Sequence, residues 1–532
     1  MFAVSKQIAG GIGPLMWGVL LLLGARTEGA TANPLPSVHA LVEAAERGAV
    51  VELPAGTFEL DRPLVIDKPL SLVGRGKDRT VLRSTAGEAG VMLIVRNVSG
   101  VRLVRFTLDG AGNRHVSQGI VLSNGSGHRL EELCIRDIPG SGDFGPHGIY
   151  ASANVTDSVF ACLEIRNIGR DSEWGAGIRI GKGGQGNAIV DNDLSGFGRG
   201  GILTTHGSTD TRIVRNRVRE FGFAGPGLGI EVWGSGRRVV IEDNSVDHWI
   251  SVDGQEDVAV RRNAITGAAD PARIGSYVLE LVNSQRVVMT DNVASGGNQI
   301  GISVSNRARK DLAYWARNRM AGCQTWGAQI QGEEGGAHRM YFYRNVFEET
   351  RKSDRSLYPG AAGHGFRFNG NAFGMVVHAN QIVGNRGAGI QLGGPNLDRL
   401  AFIENVVQDN DGPAVAGAFR GDHVLWRAND VSGNQGGDNA LTSKGFDERS
   451  LPDLAIRVSA DLKTGKPVTF ELEGFDPARF SEVLWDLDHG VPRAGRTVEH
   501  TYDRPGPYRI AAIAWTPHGQ ATLAEATLTV TD

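Results

Sequence analysis

Three acids stand at matching points of one recurring short pattern. Glu231 lies in Gly229-Ile230-Glu231-Val232-Trp233-Gly234, Asp253 in Ile250-Ser251-Val252-Asp253, and Glu280 in Leu279-Glu280-Leu281. Glu231 and Glu280 precede Asn244 and Asn292 by 13 and 12 residues, and Ser251 precedes Asn263 by 12. Read as strands, these segments point Glu231, Ser251 and Glu280 the same way, with Asp253 one outward place beyond Ser251. Crowded carboxylates raise at least one pKa, as a general acid requires. Two carboxyl groups flanking a glycosidic bond can then share the work of hydrolysis, one giving a proton and the other activating water. The same acids could instead gather oxygens around Ca²⁺. Trp233 offers a flat apolar face. Arg179 and Arg367 each lie 13 residues before an asparagine, at Asn192 and Asn380, so they fall in the same outward row and suit an anionic or hydroxyl-rich ligand. His206 closes Thr204-Thr205-His206-Gly207 one pattern before Glu231, and Arg307 sits in the basic loop Asn306-Arg307-Ala308-Arg309-Lys310-Asp311. Glu231 is the foremost single candidate, with Glu280 next.

The elements that must position these residues are set by a repeat. Asparagine followed closely by an aliphatic residue recurs at Asn167, Asn192, Asn216, Asn244, Asn263, Asn292, Asn318, Asn345, Asn380, Asn405 and Asn429, at spacings from 19 to 35 residues. Short alternating segments such as Gly177-Ile178-Arg179-Ile180, Gly301-Ile302-Ser303-Val304 and Gly389-Ile390-Gln391-Leu392 precede them, and no helical period runs through the repeat. Such a period with two or three short strands predicts one coil of a parallel β-helix. A single coil cannot bury its apolar face, but stacked coils share a core. One asparagine per coil can form an amide ladder, and asparagine also tolerates the left-handed backbone of a sharp corner. Residues Ser37 to Arg47 predict a capping helix with Ser37 as N-cap and Val38, Leu41, Val42 and Ala45 on one face. Strand spacings of ~4.8 Å across and ~6.8 Å for two residues along put Glu231 about 9.6 Å from Glu280, and Asp253 about 8 Å from each. That fits the inverting range of ~6.5–9.5 Å better than the retaining one.

Residues from about 37 to 440 resemble the right-handed parallel β-helix superfamily of the pectate-lyase-like fold. The opening Val50-Val51-Glu52-Leu53-Pro54-Ala55-Gly56-Thr57-Phe58, followed by Leu70-Ser71-Leu72-Val73-Gly74-Arg75-Gly76, resembles its usual entry. The superfamily holds polysaccharide lyases, glycoside hydrolases, uronate epimerases and phage tailspikes, so the resemblance implies a polysaccharide partner without choosing the chemistry. From about 453 the pattern becomes alternating strands. Trp485-Asp486-Leu487-Asp488-His489-Gly490 and His500-Thr501-Tyr502-Asp503-Arg504-Pro505-Gly506-Pro507-Tyr508 resemble a polycystic-kidney-disease-type (PKD) domain, an immunoglobulin-like β-sandwich. Asp488 and His489 stand where that family usually has Gly-Asp. The resemblance implies a spacer or weak binding module. The expected organisation is a leader at 1–32, the β-helix at 33–440, a linker at 441–452 and the sandwich at 453–532.

Composition bounds the rest. The 532 residues carry 55 Lys and Arg against 59 Asp and Glu, a net charge of -4 without the basic stripe that nucleic acid wants. The 74 glycines show no collagen period, and 41% hydrophobic residues exclude a disordered chain. Ile8 to Ala25 is almost wholly apolar and Ala30-Thr31-Ala32 follows, which predicts a secretory leader cut near Ala32 and a secreted or periplasmic product with no membrane partner. The 3 cysteines cannot all pair, and Cys134 and Cys162 are offset by about two strand positions, so free thiols are expected. No Cys/His spacing suits zinc, and no cofactor is expected, calcium being the one possible exception. Three functions follow. The first is a glycoside hydrolase using the acids. The second is a lyase or uronate epimerase with Ca²⁺ on Glu231, Asp253 and Glu280 and an Arg or His base, the central strands carrying no Lys. The third is a non-catalytic carbohydrate-binding surface protein. Oligomeric state is not legible.

Overall fold

The computed structural model describes residues 37–532 apart from 89, 141–144, 226, 268–276, 297–298, 307–311, 334–335, 353–361, 447–450 and 460–461. The expected leader at 1–32 and Arg307 lie outside the described residues.

Every third strand pairs with the next, in parallel, so the chain winds three sheets at once as a right-handed β-helix. Two sheets have 15 strands, starting at Val50–Glu52 and Gly56–Leu60, and the third has 14, starting at Leu64–Ile66. Alternation along each strand sends one row inward. In the third sheet Ile178, Ile202, Ile230, Ile250, Leu279 and Ile302 pair in succession and are all fully buried. The N-terminal end is closed by a helix at Val38–Ala44. Ser37 caps it by accepting from the Ala40 N–H at 3.2 Å, and Val38 and Val42 turn into the core.

The asparagine ladder is present, with two corrections. From Asn192 to Asn429 each amide Nδ2 donates to the Oδ1 of the next asparagine, at 2.8–3.0 Å. Each Oδ1 also accepts the backbone N–H of the preceding asparagine, and Nδ2 reaches a strand carbonyl, as from Asn216 to Ile189 at 2.9 Å. Asn167 is not a member. Its place is taken by Leu163, whose N–H donates to Asn192, while Asn167 sits exposed at a left-handed corner. The left-handed residue at the ladder corner is also not the asparagine but the one before it, as at Asp191, Arg215, Asp243 and Arg262. Asparagine is needed there for its two-way amide, which satisfies buried backbone groups that a corner would leave unpaired.

The tail is a sandwich of a 3-stranded and a 4-stranded antiparallel sheet. Phe470, Trp485 and Tyr502 fill it, and the Tyr502 hydroxyl donates to the Leu487 carbonyl at 3.2 Å. The sandwich is docked on the β-helix. Leu484, Ala511, Ile513 and Trp515 pack on Ala259, Val288, Tyr314, Tyr341 and Val376, an outward apolar row of the first sheet. At the edge of this contact Arg261 is 0% exposed and reaches both Glu242 and Asp486, at 2.8 and 2.6 Å. Between the two parts, Lys444 bridges back to Val424 and Leu441 packs on the helix core. The three cysteines are free, and Cys134 pairs with Glu164, two residues past Cys162, as the offset implied.

Candidate active site

The outward row of the third sheet forms in the register that counting back from the asparagines gives. Arg179, Leu203, Glu231, Ser251, Glu280, Ser303, Gln329, Arg367 and Gln391 are strand partners in that order. One outward place further on, Trp233 pairs with Asp253. Glu231 and Glu280 therefore flank Ser251 from the two neighbouring coils. Two inter-strand steps separate them, about 9.6 Å at the backbone.

Each acid has a different setting. Glu231 is closed by Arg199, whose Nη2 and Nε reach its two oxygens at 3.1 and 3.3 Å. Arg199 in turn lies over the exposed ring of Trp174, 5.1 Å from its centroid. Glu280 is half-buried. Its Oε2 accepts from Ser251 Oγ at 2.6 Å and from Trp249 Nε1 at 2.9 Å. Trp249 packs edge-on to Tyr277, with ring centroids 4.9 Å apart. Burial raises the Glu280 pKa above the ordinary carboxylate value, and the charges of Asp253 and Glu231 push the same way against the two hydrogen bonds. Asp253 is half-buried, one strand from Glu280 and diagonal to it.

The remaining candidates distribute as follows. Trp233 is 39% exposed and His206 stands edge-on to it, with centroids 4.5 Å apart. His206 is itself exposed, at a left-handed corner past the strand Gly200–Thr204. Arg179 is buried two strands before Glu231, and its guanidinium is 5.9 Å from the Tyr150 ring. Burial lowers its pKa, with Arg199 adding to the effect against Tyr150 and Glu231. Arg367 lies three strands beyond Glu280, outside the acid cluster. Arg199, Trp249 and Trp174 are the contacts that sequence reading missed. Each stands in a turn just before a strand rather than in the counted row.

Calcium seeks about 6–8 oxygen ligands. Among the described residues no three His, Cys, Asp or Glu side chains gather as a cation site. Glu231 faces a guanidinium and Glu280 two donors, so Glu231, Asp253 and Glu280 do not fit the ion. The arrangement does suit proton transfer. It holds a carboxyl kept protonated beyond the usual range, a second carboxylate about 8 Å away across one strand, and an aromatic face opposite.

Residues 228–447 match the family described as right handed beta helix region, and residues 453–530 match the PKD domain family. The chain thus carries a β-helix domain followed by a PKD domain. A pre-neck appendage protein of Bacillus phage phi29 is 28% identical over 229 residues, which is 42% of this chain and 25% of the phage protein. The preneck appendage protein of Bacillus phage PZA matches to the same extent, so the chain spans about a quarter of the curated relatives it matches. Among solved structures, the A-module of a mannuronan C-5 epimerase of Azotobacter vinelandii is 14% identical, with 74% of this chain and 93% of that one covered at a TM-score of 0.35. A DFA-IIIase of Arthrobacter chlorophenolicus A6 is 14% identical, covering 74% and 92% at 0.39. A GH87 α-1,3-glucanase of Streptomyces thermodiastaticus is 13% identical, covering 76% and 67% at 0.38. Among the described residues no helix is long and apolar enough to cross a membrane.

Proposed function

We propose that the protein is an exported glycoside hydrolase that cuts a polysaccharide lying across the third sheet. The observation that carries this reading is Glu280, a half-buried carboxyl with a raised pKa in the same outward row as Glu231 and diagonal to Asp253. In this reading Glu280 gives its proton to the glycosidic oxygen as the bond from that oxygen to the anomeric carbon breaks. A water attacks that carbon from the other face, and Asp253 takes the water's proton. One water is consumed and one reducing end appears. Glu231, paired with Arg199, stands beside the developing positive charge of the sugar. Trp233, braced by His206, stacks the ring of a neighbouring unit.

A glycan panel tests this. Reducing ends and the ultraviolet absorbance of unsaturated uronate are followed together, with and without a chelator. Hydrolysis predicts reducing ends without absorbance, unaffected by chelation and lost in Glu280→Gln. One observation favours elimination instead, the buried guanidinium of Arg179 two strands before Glu231, whose pKa burial lowers. Absorbance that rises with the reducing ends and vanishes in Arg179→Gln would decide for it.

A further inference from the structure

Past Glu280 the outward row changes character. Its next four members are Ser303, Gln329, Arg367 and Gln391, and none is an acid. Arg367 is half-buried and spreads over the Trp326 ring, 4.3 Å from its centroid. Its Nη2 donates to Asn369 Oδ1 at 2.6 Å, while its Nε is buried and meets no acceptor among the described residues. Elsewhere on the stack, Arg199, Arg215, Arg219, Arg261, Arg286 and Arg317 each have a carboxylate within hydrogen-bond reach. At Arg367 burial lowers the pKa, and among the described residues no carboxylate opposes it. A desolvated guanidinium without a counter-ion is unfavourable unless something else supplies the charge.

The neighbours complete the pattern. Among the described residues, the Oε1 atoms of Gln329 and Gln391, on the strands either side of Arg367, are also buried without a donor. A donor lacking an anion, set between two acceptors lacking donors, is complementary to a sugar that carries a carboxylate and hydroxyl groups. A neutral sugar would satisfy the two amides and leave the guanidinium as it is. We propose that Gln329, Arg367 and Gln391 form a binding subsite for an acidic sugar unit, with Arg367 holding its carboxylate. The proposal rests on the reading that a polysaccharide lies on this sheet, and it names that polymer's class. Arg367 is three inter-strand steps, about 14 Å, from Glu280, so the chain would run along the stack and be gripped some units away from the bond that breaks.

The test measures binding, with no turnover required. The full chain carrying Glu280→Gln is run through native gels containing alginate, polygalacturonate, hyaluronan, xanthan or succinoglycan, each beside its carboxyl-reduced form. Mild alkali treatment of succinoglycan removes the carboxylates borne on ester-linked acyl groups and leaves the others. At least one acidic polymer is expected to retard the protein, and its reduced form to lose that effect. Adding Arg367→Gln should weaken the retardation about tenfold or more, with part regained in Arg367→Lys and the melting temperature unmoved. The subsite is refuted if no acidic polymer retards the protein more than its reduced form, or if Arg367→Gln binds as the parent does. Carboxylate-dependent and Arg367-dependent retardation, with no cleavage by the wild type, would keep the subsite and defeat the hydrolase. Glu280-dependent cleavage confined to neutral polymers would do the reverse.

Discussion

Replacing Arg261 with methionine should unlatch the PKD domain from the β-helix. The side chain is 0% exposed and is the hub of the contact. Nη1 donates to Glu242 at 2.8 Å and to the Gly490 carbonyl at 2.6 Å, and Asp486 accepts from Nη2 at 2.6 Å and from Nε at 3.2 Å. Burial disfavours the cation, yet Asp486 and Glu242 together hold its pKa above the ordinary arginine value. Methionine keeps much of the volume and removes the charge. Asp486 is then left buried with one backbone donor, Asp488 N–H at 3.0 Å, while Glu242 keeps Arg262 at 3.3 Å. Removing one partner of a buried pair costs about 3–5 kcal/mol, and the surviving Arg262 contact argues for about 3. Scanning calorimetry reads the result. A single transition in the wild type should split, with the sandwich melting first, and protease should cut between the two domains. A double-mutant cycle with Asp486→Asn should show coupling of about 1–3 kcal/mol. If Arg261→Met costs less than about 1 kcal/mol, or if the two substitutions simply add, the contact is not held by this ion pair and the reasoning fails.

Three further outcomes are expected. Ser251 Oγ donates to the Glu280 carboxylate and so favours its charged form; Ser251→Ala should raise the Glu280 pKa further and move the alkaline limb of the kcat profile to higher pH, and a limb moved down would contradict the acid role. Asn263 Oδ1 accepts from the Asn244 N–H and Nδ2, and its own Nδ2 donates to the Ile241 carbonyl, so Asn263→Ala strands several buried groups and should cost about 3 kcal/mol or more in urea unfolding. Burial holds the His147 and His500 pKa values down to about 3, so the unfolded chain binds protons that the folded one refuses as pH falls below about 6.5; each imidazole should then remove up to about 2 kcal/mol by pH 5, and a urea midpoint unchanged between pH 7 and 5 would count against it.

Why the row was legible and its partners were not follows from what fixes each. From Asn192 to Asn429 the ladder asparagine closes each coil at the same corner, so counting back from it sets the phase of the strand. Ser251 and Glu280 fall in line with Glu231 although their coils differ in length. Arg199 and Trp249 lie in turns before their strands, where no such phase reaches. Asn167 misled because asparagine serves two needs in this fold, an amide for the ladder and a tolerance for left-handed backbone, and one sequence pattern covers both. Docking of the tail did leave a signal. Ala259, Val288, Tyr314, Tyr341 and Val376 are outward places filled by apolar or aromatic side chains, and an outward apolar row on a solvated stack implies a cover. Roles within the acid row were beyond sequence, because Glu231 and Glu280 share a residue type and a register. Only the guanidinium on one and the indole and hydroxyl on the other divide them.

That division depends on the coil between them. The interval from Asn244 to Asn263 is the shortest in the ladder, 19 residues, and it leaves only Asp247 to Trp249 before the strand Ile250–Asp253, and Gly254 and Gln255 after it. Such a coil has no length for a loop that could rise over the sheet. Its outward place holds Ser251, which is buried between the strands of the two glutamates and hydrogen-bonds one of them. A longer apolar side chain at position 251 would take away that donor. The short repeat and the small residue thus act together, placing Glu231 and Glu280 on the two strands that flank a buried hydroxyl.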